Sequence, residues 1–128
     1  MAATFLVGSV ATAQTPVCAE PPTQNGLFFG RFVEISGNRV IVGAPGFDAG
    51  GGLDNIGKAY LYQRGTSGWS EIRILKSSEA AIGDGAGSTL ALRGTVAVLG
   101  VLADEESPEL AQQGSVVFFA DLPDPCEE

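Results

Sequence analysis

The stretch that decides the fold is "FGRFVEISGNRVIVGAP", residues 29–45. Two apolar runs flank Gly37-Asn38, with Phe-Gly at the start and Gly-Ala-Pro at the end. A two-residue turn with Gly first suits this spacing, because Gly accepts the positive φ that the turn needs. The flanks therefore read as two strands, 30–36 and 39–44. Val40, Ile41 and Val42 leave the second strand apolar on both faces, as in a strand sandwiched between neighbouring sheets. Such a hairpin needs covering on both sides, so the question is whether the chain repeats it.

It does. At an offset of 57 residues, Gly30, Gly37, Gly43 and Gly57 fall without a gap on Gly87, Gly94, Gly100 and Gly114. Val33, Ile35, Val42, Leu61 and Tyr62 fall on Leu90, Leu92, Leu99, Phe118 and Phe119. A duplication of this period points to propeller blades. The first copy continues with strands at 58–63 and, after a Gly-rich turn, 69–75. The second copy yields strands at 87–93, 95–101 and 114–120, without a fourth. The expected class is all-β, with two antiparallel blades forming a partial propeller or a small two-sheet sandwich. The expected organisation is an N-terminal segment at 14–28, blades at 29–76 and 77–122, and an acidic tail at 123–128.

Composition supports this reading. Eighteen glycines and seven prolines in 128 residues favour many turns over helices. The 45% apolar content argues against a disordered chain. The net charge of −8 is lopsided: residues 1–93 carry seven bases and seven acids, and residues 94–128 carry eight acids and no base. Such a surface repels phosphate backbones, which excludes nucleic acid as the expected partner. Residues 2–13 are uncharged and mostly small or apolar, and they end in Ala11-Thr12-Ala13, an A-x-A-like cleavage site before Gln14. The segment is too short to span a bilayer. Residues 1–13 thus read as an export signal, placing the protein in the periplasm, at the cell surface or outside the cell. Cys18 and Cys126 could then pair in an oxidising compartment, a link the chain-entropy model values at about 4–5 kcal/mol; the competing reading is two free thiols.

Phe29-Gly30, Gly43-Ala44-Pro45, the later Gly57-x-Ala59-Tyr60-Leu61-Tyr62 and Trp69-Ser70-Glu71 together resemble the FG-GAP repeat. That repeat builds the seven-bladed propellers of integrin α-subunit heads and of many secreted or surface bacterial proteins. The resemblance covers roughly residues 29–122, with a degenerate second copy in which Ala86-Gly87 stands for Phe-Gly and Gly100-Val101-Leu102 for Gly-Ala-Pro. It implies a fold and says little about function. Two blades cannot close a propeller, which typically needs about four to eight. Three outcomes therefore stand open: further blades in a longer chain, assembly with copies of itself, or a sandwich whose missing strand comes from residues 15–19.

The resemblance also raises calcium. Many integrin-type repeats hold Ca²⁺ through a D-x-D-x-D-G-like loop between Phe-Gly and Gly-Ala-Pro, but here that interval is only "RFVEISGNRVIV" (31–42). The remaining candidate ligands are Asp48, Asp54, Asp104 and Glu106, which strand alternation gathers at one end together with Glu79 and Asp84. Solvated acidic loops are the competing reading, and the expected resident cofactor is none. Catalysis is not expected: without histidine the chain has neither a Ser-His-Asp triad nor a His-ligated metal, and no G-x-S-x-G is present. Trp69, at the start of an outer strand, is the candidate contact for carbohydrate or protein. The expected function is a non-catalytic, exported binding or structural module, with a Ca²⁺-dependent adhesion fragment and a remnant of a larger secreted enzyme as alternatives.

Overall fold

The computed structural model describes residues 26–51, 54–78, 81–103, 113–120 and 122. Among them there is no helix, and seven strands form two antiparallel sheets. The first sheet runs in the order β1 (Val33–Ser36), β2 (Arg39–Ala44), β3 (Lys58–Gly65), β4 (Gly68–Leu75). The second runs β5 (Thr89–Arg93), β6 (Val96–Val101), β7 (Ser115–Phe119). The expected strand at 39–44 has the bounds read from sequence. The strand expected at 30–36 begins later, because Phe28 and Gly30 take positive φ (52° and 85°) and bend the chain before Val33. The second copy likewise starts at Thr89, after Gly85 and Gly87 at 60° and 89°.

The duplication extends to the backbone. β1–β2–β3 and β5–β6–β7 pair in the same register at an offset of 57: Val33 on Val42 matches Leu90 on Leu99, and Ile41 on Leu61 matches Val98 on Phe118. Gly37 and Gly94 both have positive φ (58° and 54°), as a Gly-first turn requires, and Gly57 and Gly114 sit at 75° and 71°. Gly30 N–H donates to Gly43 O at 3.1 Å, as Gly87 N–H does to Gly100 O at 3.0 Å. Both sheets are thus the same object, and they are stacked facing the same way.

The core lies between them. Period-2 alternation puts Ile41, Ala59, Leu61 and Leu75 on one face of the first sheet, where they pack on Leu92, Ala97, Leu99 and Leu122 of the second. Full burial of each large side chain here contributes about 1.5–3 kcal/mol. The opposite face of the first sheet carries a smaller cluster, in which Leu27, Phe29 and Phe47 cover Ala44, Tyr60 and Tyr62. The outermost strand, β4, slips register between Leu61 and Tyr62, so Ile72 bulges out.

Candidate functional site

The Phe-Gly and Gly-Ala-Pro motifs meet in space, and their chemistry is structural. Phe29 packs edge-on against Tyr60, with ring centroids 5.4 Å apart. Gly30, next to it, closes onto Gly43 through the hydrogen bond above. Gly43 and Gly57 are glycines because the second sheet arrives there: a Cβ at Gly43 would overlap the Gly87 carbonyl oxygen, and one at Gly57 would overlap the Ala86 backbone. Ala44 and Pro45 are buried, and Phe47 N–H donates to Ala44 O at 3.1 Å to turn the chain out of β2.

The loops gather at one end, as strand alternation requires. The connector between sheets is stitched to the β2–β3 loop by Gly83 N–H to Asp54 O (2.9 Å), Gly85 N–H to Asn55 O (2.8 Å) and Ala86 N–H to Ile56 O (3.0 Å). Leu102 N–H then donates to Asp84 O at 2.9 Å, tying the β6–β7 loop to the same connector. Asp48 Oδ1 accepts the Asn55 N–H at 2.6 Å. Asp54 is exposed. Among the described residues no group of three or more acids, cysteines or histidines is close enough to hold a metal ion. Asp104, Glu106, Glu79, Cys18, Cys126, the signal segment and the acidic tail lie outside the described residues.

Asp84 departs from expectation. Read as part of a solvated rim, it is instead 2% exposed. Its Oδ2 accepts the Ala81 N–H at 2.6 Å and its Oδ1 is buried without a hydrogen-bond partner. It occupies the repeat position of Leu27, which explains the burial: the frame buries whatever stands there. Trp69 stands on the outermost strand, paired with Arg64 and 37% exposed.

Sequence reasoning missed three cations. Arg39, 1% exposed, donates from Nε to Gln63 Oε1 and from Nη1 to the Gly94 carbonyl of the second sheet, both at 3.1 Å. Its place on the Ile41 face was legible from period 2 alone. Lys58 Nζ lies 3.5 Å from the Phe47 ring centroid and 4.8 Å from that of Tyr60. Burial pulls its pKa down, opposed by the nearby Glu71 carboxylate and assisted by Lys76. Burial, with Glu71 and Tyr62 adding to it, pushes the Tyr60 phenol up to about 12. Arg31 is set 5.9 Å from the Phe28 ring and 5.7 Å from that of Phe32, beside a cleft of about 190 Å³ that Asn55, Ser88 and Leu102 also line. A guanidinium beside aromatic rings and amide groups is equipped to hold a polar surface group.

Two three-strand frames in one register, stacked the same way round with their loops at one end, form an all-β repeat consistent with a partial propeller or a small two-sheet sandwich. Residues 23–62, which include β1, β2 and the start of β3, match the family model of the FG-GAP repeat. No curated protein matches the chain. Among the described residues no helix is long and apolar enough to cross a membrane.

Proposed function

We propose that this chain is a non-catalytic binding and structural module that works outside the cytoplasm. The observation that carries the reading is the arrangement of loops of unequal sequence on two superimposable blades. Such loops can vary in chemistry without disturbing the strands that hold them. The blades supply a rigid base, and the loop end supplies a contact surface with Arg31 and Asn55 as its accessible polar groups, while Trp69 offers an aromatic contact at the opposite end, beside the β1–β2 turn. Export follows from the A-x-A-like stretch at residues 11–13 and from the two cysteines, which suit an oxidising compartment.

The test has two arms. Expression with the native N-terminus in a secreting host should release a product that begins at Gln14. A product that stays in the cytosol with residues 2–13 intact would refute export. Binding is read on arrayed glycans and extracellular-matrix proteins, where Arg31→Ala or Trp69→Ala should lower the signal at least about tenfold. Failure of the array to retain the wild-type chain would remove the binding half.

A further inference from the structure

Among the described residues both outer faces keep exposed apolar side chains, on the first blade beside the patch that Leu27, Phe29 and Phe47 cover. On the first blade Val33 and Ile35 are 55% and 63% exposed, and on the second Val116 and Phe118 are 55% and 69% exposed. The repeat says what each face is for. Phe118, Val98 and Val116 stand at offset 57 from Leu61, Ile41 and Ala59, the residues with which the first blade packs on the second. Val33, Ile35 and Val40 are in turn the counterparts of Leu90, Leu92 and Ala97, the surface that receives them. The two ends of the molecule are therefore the two halves of an interface the molecule already contains once.

The backbone repeats the same complementarity. Between the blades, residues 85–87 sit in a groove of the first blade, held by the Asn55 and Ile56 carbonyls and admitted by the absent Cβ atoms of Gly43 and Gly57. The second blade has an open cleft of about 420 Å³ at the equivalent place, lined by Gly100, Gln113, Gly114 and Val116, with the Thr89 hydroxyl standing over Gly100 where Gly87 O stands over Gly43. The segment shaped to fill it is 28–30 on the first blade. Phe28 and Gly30 (φ 52° and 85°) carry the backbone of Gly85 and Gly87 (60° and 89°), although Phe rarely adopts a left-handed conformation. Phe28 is 57% exposed. A plug stands at one end of the chain and its socket at the other.

We propose that copies of this chain associate head to tail, with segment 28–30 and the Val33/Ile35 face of one copy seated on the Gly114 cleft and the Val116/Phe118 face of the next. This deepens the structural half of the function proposed above and rests on it. Such an interface is heterologous, and it closes a ring when the rotation from copy to copy divides a full turn. Propellers close with typically about four to eight blades, which at two blades per chain is roughly two to four copies.

The experiment is light scattering and sedimentation equilibrium on the full chain. The wild type should sediment at a single mass roughly two to four times the 13.1 kDa chain mass. Ile35→Asp and Phe118→Asp each spoil one half of the contact, so each alone should weaken association at least about thirtyfold and run as a monomer. Mixed in equal amounts they should form a dimer and nothing larger, because each retains one intact half. Both positions are exposed, and an unchanged circular dichroism spectrum checks the fold; Val33→Lys and Val116→Lys serve as a second pair. A monomeric wild type, a mixture that stays monomeric, or sensitivity at only one of the two faces would overturn the proposal. The last result would indicate a two-fold contact, or a face that meets another protein. A monomer that is still exported and still binds on the array would overturn this inference alone.

Discussion

Replacing Gly43 by Ala tests how closely the two blades approach. In a strand, Ala is ordinarily favoured over Gly by about 0.5–1 kcal/mol, because Gly loses more backbone entropy on folding. Gly43 has an ordinary strand φ, so no dihedral strain opposes the change. The obstacle is steric: the new Cβ would overlap the Gly87 oxygen, approach the Gly87 carbonyl carbon at 3.3 Å and touch Leu90 Cδ1 at 3.4 Å. The first two are backbone atoms that cannot rotate aside, so the sheets must part. A gap of about 0.5–1 Å forfeits roughly a quarter to a half of the dispersion contact of each atom that loses its partner. Spread over Ile41, Leu61 and Leu99, each worth about 1.5–3 kcal/mol when buried, that is roughly 1–4 kcal/mol. Less the intrinsic gain, Gly43→Ala should destabilise by about 2 kcal/mol. Gly65→Ala is the control, since its Cβ would meet only the Gly68 oxygen at 4.0 Å, and it should be neutral or mildly stabilising. Urea unfolding reads both. With a slope of about 1–2 kcal/mol per molar, Gly43→Ala should lower the midpoint by roughly 1–2 M. A midpoint equal to or above the wild type would mean that Gly43 is not where the blades touch, and the argument from paired glycines would fail.

Four further outcomes are expected. Tyr60→Phe removes a buried hydroxyl without a hydrogen-bond partner and should stabilise by about 1 kcal/mol near neutral pH. Its sign with pH is also fixed: a phenol raised to about 12 favours the fold below its unfolded value of 10.0, and that contribution, about 2–3 kcal/mol, is lost as pH climbs from 10 to 12. Tyr62, also raised, acts in the same direction, whereas Lys58, lowered, gains stability as it deprotonates. Alkaline denaturation should therefore be shallower in Tyr60→Phe, and an unchanged profile would refute the assignment. Arg39→Ala deletes the bonds to Gln63 and to the Gly94 carbonyl and leaves a void, at a cost of about 2–4 kcal/mol by urea midpoint. The melting temperature should not move with added calcium or chelator, because no three acidic side chains converge among the described residues; a rise of several degrees with calcium would contradict that. If Cys18 and Cys126 pair, the secreted chain should show no free thiol, and reduction should cost about 4–5 kcal/mol.

How much of this was legible from sequence depends on which residues carry a geometric rule. The offset of 57 was readable because glycines with positive φ cannot be exchanged freely, so Gly37/Gly94 and Gly57/Gly114 mark the frame even where the side chains between them drift. The bounds of β2 followed from a Gly turn on one side and Pro on the other. What escaped was set by partners distant in sequence. Nothing local distinguishes Asp84, in a Gly-rich connector, from a solvated acid; only its alignment with Leu27 reveals a position that the frame keeps dry. Phe28 is exposed and left-handed, sharing the backbone of its repeat counterpart Gly85, which is buried between the blades. Part of the cost of that left-handed backbone is returned locally, because the Phe28 carbonyl accepts the Arg31 N–H at 3.1 Å and its ring lies 5.9 Å from the Arg31 guanidinium. The Val33 and Ile35 face of the first hairpin is thus the copy of the Leu90 and Leu92 face, which inside this chain already receives a blade.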